Sequence, residues 1–222
     1  RDCKLPQYDA QKVGKENVWE YFFEQPFNVC VEEAYASGEI FVIDDVGKFD
    51  YKQSLDAERF INFYDQEVLK WRQCFQQYIR IKKEIKGYFE YCLSQHFEME
   101  DKIIGILARG TDYRELKPAG HLKPIPADEI FACIDSLRKR MPGYKIFLAT
   151  EDQGILTEFE ARYPDRVVSV EAKRYKNLGY DTLNAVYKKE NGYERDLKYL
   201  YSLYAISKAP MCIYSACGGG VL

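Results

Sequence analysis

The spacing of apolar side chains changes near residue 100. Before that point apolar residues recur every three or four positions, which is typical of helices. Residues 56–97 carry the longest such pattern, and its stripe shifts near 79–82, where we expect a kink or a loop. A second helical stretch, 17–36, is broken by Pro26. We therefore expect residues 1–98 to form a mainly helical segment, with one short strand at 40–43.

After residue 100, short apolar runs alternate with amphipathic stretches. The runs predict four strands, at 103–108, 145–150, 167–170 and 211–215. Helices are predicted between them, at 126–141, 153–163 and 196–207. In the first of these helices the apolar face is assigned to Ile130, Cys133, Ile134 and Leu137. This order of strands and helices predicts an α/β domain, with a parallel sheet that has helices on both faces.

Parallel sheets bind ligands at the carboxyl ends of their strands. The loops after residues 108, 150, 170 and 214 are therefore the expected positions of functional residues. The chain stops shortly after the fourth predicted strand, within a glycine-rich turn that usually leads into another element. We therefore expect the domain at 99–222 to be truncated at its C-terminus and the chain to be a fragment of a longer protein.

The composition is that of a soluble globular protein. The chain has 222 residues with 46% hydrophobic and 30% charged side chains, which excludes a wholly disordered chain. The net charge of -3 gives no global basic excess, so nucleic acid is not an expected partner. Aromatic residues make up 15% of the chain. They are expected mainly in the core, although aromatic-rich chains also form broad binding pockets.

Seven cysteines are scattered along the chain, without a CxxC pair or the spacing of a zinc site. This pattern predicts reduced, buried thiols, and hence a cytoplasmic protein. No metal site is expected. No apolar run is long enough for a transmembrane segment.

The loop after the first strand carries Arg109, Gly110, Thr111 and Asp112. A guanidinium can hold two phosphate oxygens, and glycine allows the backbone to approach a ligand closely. Asp112 either holds Arg109 or acts on a substrate hydroxyl. The alternative is an ordinary surface loop with an Arg–Asp pair.

A basic cluster follows in the same loop, at Arg114, Lys117 and Lys123. His121 lies inside the cluster, and its possible roles are a general base or a donor to phosphate. A solvated histidine without a role in function is the alternative.

Two further loops carry candidate residues. Glu151 and Asp152 follow the second strand, and they are suited to sugar hydroxyls or a divalent ion, although an Asp at this position also caps a helix. The last strand ends at Ser215 and is followed by small residues that expose backbone N–H groups to a phosphate: Cys217, Gly218 and Gly219.

Together these motifs resemble the nucleotide-sugar-binding half of the fucosyltransferase superfamily, which includes α-1,6-fucosyltransferases, nodulation fucosyltransferases and protein O-fucosyltransferases. The resemblance covers residues 103–222. It rests on the Arg109–Asp112 motif, on Ala-Thr-Glu-Asp at 149–152, and on the helix, strand and small turn at 207–218. The RGTDY, KPAGH and ATED segments also resemble bacterial proteins from surface-polysaccharide clusters.

The resemblance implies a Rossmann-like, donor-binding half of a GT-B glycosyltransferase at 99–222, with residues 1–98 as part of its acceptor-side half. It implies a nucleotide-sugar donor, GDP-fucose by family default, a glycan acceptor, and no metal or other cofactor. Arg109 would neutralise the leaving diphosphate. The turn from Ser215 to Gly219 would bind the β-phosphate, while Asp112, Glu151 and Asp152 would position Arg109 and the sugar. The catalytic base stays open between Asp112, Glu151 and His121.

Three features depart from the family pattern. Leu107 replaces the motif histidine, Ser202 stands where the α-1,6 enzymes have a base-recognising Asp, and Cys217 with Gly218 replace serine. Phosphate binding is therefore expected to be retained better than guanine recognition. The alternatives to an active transferase are a degenerate module that binds a glycan, a nucleotide or a protein, and a helical interaction protein with an aromatic stripe at 61–92. The oligomeric state is not predicted.

Overall fold

The structure is a computed structural model, and it describes residues 17–40, 66–111, 125–176, 183, 186 and 192–215. The contacts between Cα atoms divide the chain into two compact units, and the division falls between Ile85 and Lys86. The domain boundary at residues 98–99 stays a prediction.

The larger unit is built on a parallel four-stranded sheet. Its strands are β1 (Ile103–Ala108), β2 (Lys145–Ala149), β3 (Val167–Val168) and β4 (Met211–Ser215), in the spatial order β3-β2-β1-β4. All three pairings between neighbouring strands are parallel. The predicted α/β class is therefore confirmed.

One face of the sheet is an apolar core. Ile104, Ile106 and Leu148 are buried on this face. They pack with α5 (Ala127–Leu137) and α6 (Gln153–Arg162), which contribute the fully buried Ile134 and Phe159. Pro126 precedes α5 and two acidic residues occupy its first turn, as the sequence predicts.

The other face is covered by α7 (Gly192–Lys208), which packs on β1 and β2. A Cβ atom at Gly105 of β1 would lie only 3.0 Å from the Cβ of Ala209 and 3.2 Å from Cγ2 of Ile206, so glycine permits the close packing here. Phe147 of β2 is buried on this face against the ring of Tyr201 in α7, with the ring centroids 6.1 Å apart. The sheet therefore has helices on both faces, as predicted.

After residue 100, three element ends differ from the prediction by two residues or more, and one is the end of α5, which lies at Leu137 rather than at residue 141. β3 ends at Val168 rather than at residue 170, because the carbonyl of Val170 accepts a hydrogen bond from the Arg174 guanidinium at 2.6 Å. α7 starts at Gly192 rather than at residue 196. Its first turns are polar and include a Glu194–Lys198 ion pair of 2.9 Å, so the apolar pattern does not reveal them.

The smaller unit contains short helices. They are α1 (Trp19–Phe22), a 3-10 turn (Pro26–Asn28), α2 (Val31–Ala36) and α3 (Gln66–Tyr78). The predicted break at 79–82 is confirmed, since α3 ends at Tyr78 and α4 begins at Lys83 (Lys83–Ser94).

The break has a structural reason. The backbone at 80–82 pairs with an earlier segment instead of continuing the helix: Glu24 N–H donates to the Arg80 carbonyl at 2.8 Å, and Lys82 N–H donates to the Phe22 carbonyl at 3.0 Å. The predicted helix at 17–36 has two interruptions, before and after the 3-10 turn. Residues 41–43 of the predicted strand, and residues 56–65 of the long helical pattern, lie outside the described residues.

The prediction of buried cysteines is wrong for the residues that the structure describes. Cys74, Cys133 and Cys212 are exposed, and Cys30 and Cys92 are half-buried, all five as free thiols. Cys133 lies beside the apolar stripe of α5 rather than within it, which explains the error at that position. Within the described part of the chain, no helix combines the length and the apolar character needed to cross a membrane.

Candidate functional site

The loop after β1 is tied to the end of β2. Gly110 N–H donates to Oε1 of Glu151 at 2.9 Å, and the Thr111 hydroxyl donates to the same oxygen at 3.1 Å. Thr111 N–H donates to Oδ2 of Asp152 at 3.0 Å. Because β1 and β2 are parallel neighbours, their carboxyl ends meet at the same edge of the sheet. The two carboxylates therefore fix the backbone that follows Arg109.

This contact requires glycine at position 110. A Cβ atom there would lie 2.7 Å from both Cβ and Cγ of Asp152, closer than nonbonded carbon atoms approach. Thr111 has a φ of 39°, an uncommon conformation for a β-branched residue, and it is 4% exposed. Such strain persists only where surrounding contacts impose it, as the hydrogen bonds to Glu151 and Asp152 do here.

Asp152 also caps the next helix. Its Oδ1 accepts hydrogen bonds from the backbone N–H groups of Gly154 at 2.7 Å and Ile155 at 3.1 Å, at the start of α6. The capping role considered for Asp152 is therefore confirmed. With Oδ2 bound to Thr111 N–H, both carboxylate oxygens accept hydrogen bonds from the backbone.

Glu151 differs from Asp152 because it borders a cavity. Burial raises the pKa of Glu151, while the hydrogen bonds from Gly110 and Thr111 and the positive charge of Arg109 oppose that rise. Its carboxyl group therefore binds a proton more tightly than a solvated glutamate does.

The cavity has a volume of about 420 Å³ and lies at the carboxyl edge of the sheet. Its walls come from the ends of β1 and β2, from the segment after β3 and from α7. Among the described residues that line it, the cationic side chains are Arg109, Lys173, Arg174, Arg195 and Lys198. The carboxylates in the same described set are Glu151, Glu194 and Asp196. An excess of cations in a chain with a net charge of -3 creates a local positive potential that favours an anionic ligand.

Two of the cations lie in ion pairs on α7. Arg195 Nε is 2.5 Å from Oδ1 of Asp196, and Lys198 Nζ is 2.9 Å from Oε1 of Glu194. These pairs neutralise much of the charge that α7 brings to the cavity. The segments that follow β1 and β3 bring Arg109, Lys173 and Arg174 to the cavity as well.

The segment after β3 returns to the end of β2. Tyr175 N–H donates to the Glu151 carbonyl at 2.9 Å, and the Tyr175 carbonyl accepts from Gln153 N–H at 2.9 Å. Arg174 donates from one terminal nitrogen to the Val170 carbonyl at 2.6 Å and from the other to the Ala172 carbonyl at 3.2 Å. Its Nε is buried and has no hydrogen-bond partner among the described residues. Burial lowers the pKa of Arg174.

The structure brings together part of the predicted site. Arg109 and Glu151 line the cavity, and Gly110 and Thr111 hold the loop that carries Arg109. Ser215 is the last residue of β4, beside Ala108 in the strand register. The other predicted site residues lie outside the described part of the chain: Asp112, His121, Cys217, Gly218 and Gly219.

Two of the departures from the family pattern lie in the cavity wall. Leu107 is 5% exposed there, so an apolar side chain occupies the position of the motif histidine. Ser202 is 7% exposed, and its hydroxyl donates to the Lys198 carbonyl at 3.0 Å.

Sequence reasoning did not single out Lys173, Arg174, Arg195 or Lys198 in the cavity. Lys173 and Arg174 could have been predicted, because a Lys-Arg pair follows the third predicted strand at the expected ligand edge. Arg195 and Lys198 were harder to find, since the polar first turns of α7 carry no apolar signal. In the described ranges, no group of three or more His, Cys, Asp or Glu side chains is arranged to hold a metal ion.

No protein-family model and no curated protein sequence matches the chain. Solved structures of a fucosyltransferase are similar to it. NodZ α-1,6-fucosyltransferase co-crystallised with GDP is 16% identical with a TM-score of 0.51, and the match covers 92% of this chain and 79% of NodZ. Fucosyltransferase NodZ from Bradyrhizobium gives 16% identity and a TM-score of 0.51, over 91% of this chain and 79% of that one. The likeness shows a fucosyltransferase-like fold and confirms the expected Rossmann-like architecture.

Proposed function

We propose that this protein binds a nucleotide sugar at the carboxyl edge of its sheet and transfers the sugar to a glycan acceptor. The observation that carries the proposal is the cavity lined by Arg109 and an excess of cations, in a fold similar to that of NodZ. NodZ was co-crystallised with GDP, which supports a nucleotide as the ligand here. GDP-fucose is the donor we propose, with a metal-independent, fucosyltransferase-like reaction in the cytoplasm that serves surface-polysaccharide synthesis.

In this proposal Arg109 stabilises the charge that develops on the leaving diphosphate. The residues around it support that role, because the hydrogen bonds from Gly110 and Thr111 to Glu151 fix the loop before any ligand arrives. A cation that is already in position needs no reorganisation during the reaction. Such preorganisation is the main source of electrostatic catalysis. Glu151 serves as a positioning residue, because its Oε1 already accepts two hydrogen bonds.

The first test is the thermal stability of the protein with GDP, UDP and ADP, and with GDP-fucose. A ligand at 100 times its Kd stabilises the folded state by about 2.7 kcal/mol, which is readily measured as a rise in Tm. We expect a rise with at least one of these compounds. No rise with any of them would contradict the proposal.

The second test replaces the proposed phosphate-binding residue. Arg109→Gln is expected to abolish the nucleotide-dependent rise in Tm while the protein stays folded, because charge-assisted hydrogen bonds to phosphate are lost. Arg140→Gln is the matched control, since Arg140 is exposed and does not line the cavity. Undiminished nucleotide binding by Arg109→Gln would place the phosphate site elsewhere.

A second candidate function is a nucleotide-binding module that transfers nothing. It is favoured by the occupied carboxylates of Glu151 and Asp152, which hold backbone groups, and by Leu107 in place of the motif histidine. Hydrolysis or transfer from a nucleotide sugar separates the two candidates. Clear turnover excludes the binding module, whereas tight binding without turnover favours it.

A further inference from the structure

We propose that Arg174 is a second anion-binding residue of the cavity, which contacts a phosphate or carboxylate group of the ligand at a position distinct from that of Arg109. The inference rests on the proposed function, because it assumes that the cavity takes an anionic donor. It adds a residue and a chemical requirement that the family resemblance does not contain.

The two arginines lie in segments that follow different strands at the same edge of the sheet. Arg109 follows β1 and Arg174 follows β3, with β2 and its Glu151 between them. Adjacent strands are about 4.8 Å apart, so the two strand ends are separated by about 10 Å. Both side chains line the cavity, which therefore offers cationic groups from two sides of Glu151.

The Arg174 guanidinium is held in place by its own loop. The carbonyls of Val170 and Ala172 each accept one hydrogen bond from it, at 2.6 and 3.2 Å, and Nε is buried without a partner among the described residues. These two bonds restrict the planar group to one orientation. The fork is thus positioned before a ligand binds, which reduces the entropy lost on binding.

The electrostatic environment of Arg174 differs from that of Arg195. Arg195 lies 2.5 Å from Asp196, but in the described part of the chain Arg174 has no carboxylate within ion-pair distance. The charge of Glu160 acts on Arg174 without forming an ion pair, so the groups bonded directly to this partly buried cation are neutral carbonyls. Because buried charges in proteins are normally paired, a directly bonded anion is assigned to the ligand.

The geometry of the Arg174 guanidinium indicates which anionic group of the ligand it binds. Its fork matches two oxygens of a phosphate or of a carboxylate. In a nucleotide sugar the group is either the second phosphate of the diphosphate or a carboxylate on the transferred sugar. Both sources present the same pair of anionic oxygens to Arg174.

The test is calorimetric titration of the wild type and of Arg174→Gln, with Arg140→Gln as the control for loss of one positive charge. The probes are GDP, UDP and ADP, the matching nucleosides, inorganic pyrophosphate, and the pair UDP-glucose and UDP-glucuronate. We expect Arg174→Gln to weaken binding of the diphosphates at least tenfold and to leave nucleoside binding unchanged. A loss confined to UDP-glucuronate would assign the contact to the sugar carboxylate instead.

Arg174→Lys is a control for misfolding, because it keeps the positive charge but lacks the planar guanidinium with its paired N–H donors. We expect a smaller, severalfold loss of affinity, with an unchanged urea midpoint. Anion binding by Arg174→Gln and Arg174→Lys that equals wild-type binding would overturn the inference while leaving the proposed function intact. Pyrophosphate binding that depends on Arg174, without binding of any nucleotide, would support the inference and contradict the proposed function. If the wild type binds none of these anions, the result contradicts both the inference on Arg174 and the proposed function.

Discussion

The two loops that carry arginines at the edge of the sheet are built in opposite ways. The loop after β1 is joined to the end of β2 by side-chain acceptors, because Glu151 and Asp152 accept its N–H groups and the Thr111 hydroxyl. Among the described residues, the loop after β3 is joined to the end of β2 by backbone hydrogen bonds of Tyr175, and its Arg174 donates to neutral carbonyls.

The difference distinguishes residues that stabilise the fold around the site from residues that bind the ligand. Around Gly110 the polar groups satisfy one another, so changes there are expected to reduce the stability of the fold. Among the described residues, Arg174 forms no direct ion pair and only the more distant charge of Glu160 acts on it, so changes there are expected to reduce ligand affinity and leave the fold largely intact. Substitutions in and around the loop after β1 therefore test this difference through the free energy of unfolding rather than through ligand binding.

The largest effect is expected at Gly110. A methyl group in Gly110→Ala would meet Cβ and Cγ of the buried Asp152 at 2.7 Å, so the loop must move and lose its hydrogen bonds. We expect the free energy of unfolding to fall by about 3 kcal/mol, measured by urea denaturation. Gly87→Ala is the matched control, because its Cβ would meet open space within α4, and a gain of up to about 1 kcal/mol is expected. Equal effects of the two variants would contradict the packing at Gly110.

The next effect is expected at Asp152. Asp152→Ala removes the cap of α6, which is worth about 1 kcal/mol, and leaves the buried Thr111 N–H without an acceptor, which costs about 1–3 kcal/mol. We expect a total loss of about 2–3 kcal/mol in urea denaturation. Asp152→Asn keeps one acceptor oxygen and should lose roughly half as much. A loss below about 1 kcal/mol for the alanine variant would mean that Asp152 does not hold the loop.

The smallest effect is expected at Glu151, and it depends on pH. Because burial raises the pKa of Glu151, the folded state binds its proton more tightly than the unfolded state does. The wild type therefore loses stability as the pH rises from the ordinary glutamate pKa to the raised one. Glu151→Gln keeps the acceptor but cannot ionise, so its stability relative to the wild type should increase across that interval. A stability difference that stays constant with pH would contradict the raised pKa.

The sheet was predicted well from the sequence because the apolar runs that indicate its strands are local features of the chain. Continuous apolar runs marked β1 and β2, which are buried on both faces, and the ligand edge follows from parallel topology alone. The roles of Gly110 and Asp152 were only partly predictable. Capping depends on nearby residues and was foreseen, whereas the contact between Gly110 and Asp152 arises only when β1 and β2 pair.

The chemistry after β3 was missed for a related reason. Arg174 acquires its position from the carbonyls of Val170 and Ala172 and from the return of Tyr175 to β2, which no spacing in the sequence reveals. The same hydrogen bonding shortened β3 below its apolar run. Turns that follow an edge strand are thus a weak point of pattern-based prediction, because their hydrogen bonds run within the loop.

The most direct test of the central claim is a crystal structure of the protein with the nucleoside diphosphate that raises its Tm most. We predict that the phosphates lie in the cavity at the carboxyl edge of the sheet, with the Arg109 guanidinium at about 2.8 Å from phosphate oxygens. The backbone of Gly110 and Thr111 should be unchanged. A nucleotide bound at another surface, with Arg109 making no contact to its phosphates, would contradict the account.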